Sequence, residues 1–218
     1  METVASGTAT LVDGVEQTLA TIAAPGTYIV VWDLFNGVDG SLKVDLYNKI
    51  TSGGASEVMF TNTAATLGSY DFSNLMSDAL IVNHQLVVKA LTTGNTAPVD
   101  IPWKVVKIAN VGAAVEGTTS IVSGLGGTHD IVISTPGMYV FQVDRGWAYA
   151  GGDTFGYWDA MTLPSAGSYA IHGIFANPFT DTPYAQAGPF LVDGGDTITI
   201  SNNTGETIDC QWSVTRVN

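Results

Sequence analysis

The chain states one pattern twice. Pro25-Gly26-Thr27-Tyr28, followed by Asp33, returns as Pro136-Gly137-Met138-Tyr139, followed by Asp144, with every matched position 111 residues further on. Upstream, Gly7-Thr8-Ala9-Thr10-Leu11-Val12-Asp13-Gly14 is echoed by Gly117-Thr118-Thr119-Ser120-Ile121-Val122-Ser123-Gly124 at an offset of 110. Downstream, Gly94 and Trp103 are echoed by Gly205 and Trp212, at offsets of 111 and 109. An offset that holds over most of the length points to two copies of one design, residues 1–110 and 111–218. A domain of about 110 residues can bury a working core without disulfides or a structural metal.

Each copy reads as β. Thr27 to Asp33 is dense in β-branched and aromatic residues, and Leu42, Val44 and Leu46 alternate with Lys43, Asp45 and Tyr47 at the period of a half-buried strand. Further strands are predicted at 57–61, 80–83, 85–91 and 103–108, then at 129–134, 138–144, 154–161, 168–175, 189–192, 196–201 and 208–217. Turn signals separate these runs, among them Gly53-Gly54, Gly94-Asn95, Gly126-Gly127, Gly151-Gly152 and Gly194-Gly195. Short strands between such turns predict an all-β fold of two tandem duplicated β-sandwich domains, jelly-roll or Greek-key in type. One helical turn is expected between Tyr70 and Ala79, and Ala109 to Gly117 is expected to be the connection between copies. In the repeated Pro-Gly-x-Tyr, proline fixes φ and glycine tolerates a positive φ, which suits a type II turn ahead of a strand. Tyr28, Tyr139, Trp103 and Trp212, shared by both copies, are expected to be core residues.

Charge narrows the partners. Seven Lys and Arg against twenty Asp and Glu give a net charge of −13, which leaves few cations to displace counterions from a phosphate backbone, so no nucleic-acid partner is expected. Charged residues make up only 12% of the chain, about half the usual share, so the surface must be largely Gly, Ser, Thr, Asn and Ala. Such a surface costs little to desolvate against another subunit. Cys210 is the single cysteine and cannot form an internal bridge. No run reaches the roughly 18 apolar residues of a membrane span, and Met1-Glu2-Thr3-Val4 does not open a secretory signal. The expectation is a soluble protein assembled in a reducing cytoplasm, with no membrane partner.

Chemical motifs are sparse. His84, His129 and His172 lie far apart and lack the spacing of a zinc site. Cys210 has no histidine beside it in a nucleophile motif and reads as a small core residue. No Gly-x-Ser-x-Gly elbow occurs. Gly124-Leu125-Gly126 joins two strand-like runs instead of opening a helix, so it reads as a hairpin turn and not a phosphate cradle. Asp153 and Asp159 flank an aromatic stretch and could in principle serve glycoside hydrolysis, but aspartate is common in turns. Asp193-Gly194-Gly195-Asp196 falls short of a calcium loop and reads as a tight turn. The expectations are therefore no catalytic residues, no metal, no cofactor and no enzymatic activity.

The copies differ where the second carries an aromatic stretch, Trp147, Tyr149, Phe155, Tyr157 and Trp158, and an insertion from Asn177 to Pro189. Tryptophan and tyrosine combine apolar area with a polar edge, which suits a partner surface, although core packing is the commoner fate of such residues in a sandwich. Trp147, Tyr149, Phe179 and Tyr184 are the candidate partner-binding residues.

Thr18-Leu19-Ala20-Thr21, Pro25-Gly26-Thr27-Tyr28, Asp33-Leu34, Asp39-Gly40, Ser52-Gly53-Gly54 and Pro102-Trp103-Lys104-Val105, in that order, resemble small structural proteins of tailed bacteriophages. The resemblance covers most of residues 15–108 and, more faintly, 128–217; its motifs are turn and core residues. It implies a β-rich virion component, a head decoration (cement) protein or a tail accessory, with no catalytic residues to carry over. It further implies a virion location after assembly in the host cytoplasm, and partners among the major capsid protein and other virion proteins. A homo-oligomer is expected, a trimer favoured, since closed symmetry multiplies weak contacts. The alternative is a tail or fibre protein with a glycan-binding or adhesive face on the second copy.

Overall fold

The structure is a computed structural model describing residues 1–33, 39–54, 57–65, 76–122, 127–144, 158–163, 171–174, 184–192, 194–202 and 207–217. Within them the chain forms sixteen strands and no helix. It divides into two compact units, Met1–Val111 and Gly112–Asn218.

The first unit contains β1 (Glu2–Leu11), β2 (Gln17–Ile22), β3 (Gly26–Trp32), β4 (Ser41–Lys49), β5 (Glu57–Ala65), β6 (Leu80–Val82), β7 (Gln85–Thr93) and β8 (Val99–Ala109). They pair as two four-stranded sheets, β1-β8-β3-β6 and β2-β7-β4-β5. The second unit contains β9 (Val111–Ile121), β10 (Gly127–Ile133), β11 (Gly137–Asp144), β12 (Trp158–Leu163), β13 (Ile171–Ile174), β14 (Tyr184–Val192), β15 (Asp196–Asn202) and β16 (Ile208–Val217). Their sheets run β14-β11-β16-β9 and β10-β15-β12-β13. Each strand number of the second unit equals its counterpart in the first plus eight, so both units have the eight-stranded, two-sheet order of a jelly roll.

Alternation builds the cores. In β4, Leu42, Val44 and Leu46 are buried, and in β7 so are Leu86, Val88 and Ala90; they close against Leu11, Tyr28, Val30, Trp32, Ile101 and Val105 of the facing sheet. The second core gathers Ile121, Ile131, Ile133, Tyr139, Phe141, Val143, Ile198, Ile200, Trp212 and Val214, with Cys210 buried among them. On β11 and β16 the intervening residues Val140, Gln142, Ser213 and Thr215 are buried as well. There Ser213 Oγ donates to Gln142 Oε1 at 3.1 Å, and Gln142 Nε2 donates to Gln186 Oε1 at 3.0 Å, a polar ladder across β16, β11 and β14.

The repeated Pro-Gly-x-Tyr works differently from the expected type II turn. Gly26 and Gly137 do not adopt a positive φ; they begin β3 and β11, opposite Val82 and Val192. Space is tight at Gly26, where a Cβ would lie 3.0 Å from the Tyr28 ring and 3.2 Å from the Ala109 carbonyl oxygen, whereas at Gly137 it would first meet the flexible Arg216 side chain, 2.8 Å from Nε, which can move aside. Two residues on, Tyr28 Oη donates to the carbonyl of Ala24 and Tyr139 Oη to that of Thr135, both at 2.8 Å. The acceptor is in each case the residue before the proline. Each tyrosine thus buries its ring in the core and ties down the chain that enters its strand.

Three further expectations are corrected. Residues 76–79 do not continue a helix; Met76 bridges Val31, and Ser77 N–H donates to Val30 O at 2.8 Å while Ser77 Oγ accepts from Val30 N–H at 3.0 Å. The rest of that expected helical turn, 70–75, lies outside the described residues. The expected connection from Ala109 to Gly117 is mostly strand, since Asn110 alone separates β8 from β9. The strands β1, β2 and the first half of β14 were not anticipated; their Thr, Ser, Gly and Ala residues give little hydrophobic alternation to read. The Gly194-Gly195 turn stands as read, between β14 and β15, with Gly195 at a φ of 96°. Gly124-Leu125-Gly126 lies outside the described residues.

Candidate functional site

The pairing of β1 with β8 sets Gly7 opposite Trp103 and Thr10 opposite Asp100. A Cβ on Gly7 would meet the indole at 3.4 Å, so the ring lies flat over the glycine. Beside it Thr10 Oγ1 donates to Asp100 Oδ1 at 2.6 Å. The second unit repeats both contacts: Gly117 underlies Trp212, and Ser120 Oγ donates to Asp209 Oδ1. A hydroxyl on a carboxylate could suggest an activated nucleophile. Its occurrence in both units, with no histidine in either pair, identifies a cross-strand tie between neighbouring strands instead.

What surrounds the two tryptophans differs. In the first unit Trp103 is only half-buried and borders an open groove of about 420 Å³, lined by Ser6, Gly7, Val31, Trp32, Asp33, Pro102, Trp103 and Lys104. Trp32, directly across the ladder from Trp103, is buried. In the second unit Trp212 is buried and its ring is covered by His129, with centroids 5.5 Å apart at 44°. The nearby opening, about 400 Å³, is lined by Thr118, Thr119, Ser120, Asp209, Cys210 and Gln211. The expectation that both tryptophans are core residues holds for Trp212, which is buried, and in part for Trp103, which packs against the first core while half-exposed.

A second polar feature covers the outward side of sheet β2-β7-β4-β5. Lys43 Nζ is 2.7 Å from Asp45 Oδ2, Lys89 Nζ is 2.8 Å from Glu16 Oε2, and Lys89 Nζ sits 4.6 Å from the centre of the Tyr47 ring. The hydrogen bond to Asp45 raises the Lys43 ammonium above the usual lysine range, and the one to Glu16 does the same for Lys89. Partial burial, then the Glu16 charge, raises the Tyr47 phenol. These groups satisfy one another, the arrangement of a pre-ordered surface and not of a reactive one. At the loop end, Asn95 Oδ1 accepts from the N–H groups of Asp39 and Gly40 at 2.9 and 3.0 Å, and Asn95 N–H donates to Asp13 Oδ1 at 3.0 Å. Thr96 Oγ1 donates to Asp39 at 2.5 Å, which lowers that carboxyl below the usual aspartate range.

Of the candidate partner-binding residues, Trp147, Tyr149 and Phe179 lie outside the described residues, and Tyr184 opens β14 opposite Asp144. Asp153 and Asp193 also lie outside them, while Asp159 is a backbone partner of Ile174 and Ser201. Among the described residues no three His, Cys, Asp or Glu side chains converge as a metal site, and no helix is long and apolar enough to cross a membrane. The Trp103 groove was missed in the sequence because a tryptophan shared by both copies signals core, and its one-sided exposure depends on what stands opposite it in space.

No protein-family model matches the sequence, and no curated protein matches it. Among solved structures the chain is similar to a peptide-N(4)-(N-acetyl-β-D-glucosaminyl) asparagine amidase, at 11% identity and a TM-score of 0.40, over 98% of this chain and 97% of that one. It is similar to a chain from the triple jelly-roll fold and turret assembly of an archaeal virus, at 12% identity and 0.30, over 96% of this chain and 58% of that one. A chain of the Macrobrachium rosenbergii nodavirus matches at 11% and 0.22, over 98% and 89%. The expectation that the chain is not an enzyme is overturned by the amidase in this group. That expectation rested on missing motifs, and a fold of this kind hosts catalytic and architectural proteins alike.

Proposed function

We propose that the chain is a virion structural protein, a head decoration (cement) protein that binds between major capsid subunits. The observation that carries this reading is what the chain repeats. The residues recurring at offsets of 109 to 111 are those that build the sandwich: the tyrosine tied to the carbonyl before the proline, the glycine under the tryptophan, and the hydroxyl on the aspartate. Repeating architecture in this way, under a surface with few charges, suits a subunit that spreads many modest contacts over a larger assembly. Adding the purified protein to particles stripped of it tests the reading. The protein should co-sediment at a fixed stoichiometry and raise the temperature at which heads release their DNA; a protein that stays in the supernatant contradicts it.

A tail or fibre accessory with a glycan-binding face is the second reading. Its support among the described residues is the half-exposed Trp103 beside Lys104 and Ser6, an aromatic surface with polar edges. On the sequence alone, Trp147, Tyr149, Phe179 and Tyr184 would extend such a face on the second unit. Glycan-array binding that disappears in Trp103→Ala or Trp147→Ala would favour this reading over the first.

A further inference from the structure

We propose that the free edge of β1 is a two-fold contact through which two copies of this chain pair, antiparallel and centred on Thr8. The directions of the β1 backbone groups follow from two bonds. The Thr10 carbonyl accepts Gln17 Nε2 at 2.8 Å, so it faces away from β8. The Pro102 carbonyl accepts Asp33 N–H at 2.9 Å, so the Thr8–Pro102 pair exchanges no bond within the β1–β8 ladder. In an antiparallel strand the N–H and C=O of one residue point the same way and alternate along the chain. Ser6, Thr8 and Thr10 therefore direct their backbone groups to the free edge, and no partner for the N–H groups of these three occurs among the described residues.

Sheet edges elsewhere carry devices that discourage pairing. β6 and β13 are only three and four residues long, β14 contains Pro189, β9 and β10 carry the charges of Glu116 and Asp130, and β2 and β5 lie at register shifts. β1 has its one shift at Thr3/Ala5; from Ala5 to Leu11 its pairing with β8 is regular, and β1 itself contains no proline and no charge there. A second copy is the occupant that this edge fits. Two identical antiparallel strands are self-complementary and close at two copies. With Thr8 opposite Thr8 and Ser6 opposite Thr10, the contact brings no like charges together in a chain of net charge −13. It makes a dimer and not the trimer that the resemblance favoured.

The test is the mass of the full chain by sedimentation velocity from 1 to about 100 μM, together with two variants. Thr8→Pro removes an N–H that points away from β8, so the fold should persist while dimerisation weakens at least about tenfold, since each dimer loses two edge bonds. In Thr8→Cys the two sulfurs should cross-link on mild oxidation, because directly opposed residues of a hydrogen-bonded pair lie about 5.5 Å apart, within disulfide reach. Cys210 is buried and does not compete. A monomer or a trimer across the concentration range overturns the proposal, as does a folded Thr8→Pro that dimerises like the parent. Should Thr8→Pro not fold, failure of Thr8→Cys to cross-link overturns it equally. The outcome is independent of whether the protein binds a capsid.

Discussion

Single side chains carry the repeat, and their geometry makes the two copies unequal in a measurable way. A Cβ at Gly7 would meet Trp103 at 3.4 Å, an ordinary contact, whereas at Gly117 it would lie 2.8 Å from Trp212 Cζ2, part of a rigid buried ring that also contacts His129. Gly117→Ala should therefore destabilise by about 1–3 kcal/mol through overpacking, while Gly7→Ala should be near neutral or stabilise by about 0.5 kcal/mol. Urea titration of the two variants checks this, and equal effects would count against the contrast. Tyr28→Phe and Tyr139→Phe should each cost about 1 kcal/mol for the lost bond to the carbonyl before the proline. Burial, followed by the Glu2 charge, raises the Tyr28 phenol, and hydrogen bonds to carboxylates raise Lys43 and Lys89. In all three the folded protein holds its proton to higher pH than the unfolded chain. Their contribution is complete below the ordinary ionisation range of about 10–10.5 and is lost as pH rises through the raised values. A urea midpoint that falls above about pH 10, and falls less in Tyr28→Phe, would agree.

At the scale of strands, legibility tracked hydrophobic contrast. β3, β4, β7 and β16 were readable because Val, Ile, Leu, Tyr and Trp alternate with polar residues or run together between turns. β1 and β9 were not, because ETVASGTATL and VGAAVEGTTSI place small residues on their inward sides and bury few large ones. The segment 76–79 misled for another reason: it follows β3 through the paired bonds of Ser77 with Val30, a long-range contact that no local propensity reports. Ser77→Ala should leave the buried Val30 N–H without an acceptor, at a cost of about 1–3 kcal/mol. Faster hydrogen exchange at Val30 than in the parent would locate the loss; unchanged exchange would contradict it. The Trp103 groove was illegible on the same grounds, since its exposure depends on three strands, β1, β3 and β8, meeting at one end of the sheet.

For the whole molecule, the proposal is of two self-sufficient jelly rolls, each with its own core. Expressed alone, residues 1–110 should unfold in one cooperative transition; a broad, non-cooperative one would show that the first unit depends on the second. Five of the seven cations, Lys43, Lys49, Lys89, Lys104 and Lys107, belong to the first unit, so an acidic capsid surface would be met there and a basic one by the second. The central claim is that this architecture serves a virus particle. Under that claim the encoding genome is viral, and cryo-electron microscopy of its purified particles tests it most directly. The account predicts density for paired eight-stranded sandwiches on the head, seated between capsid subunits. Particles of full infectivity in which neither imaging nor mass spectrometry finds the chain would contradict it.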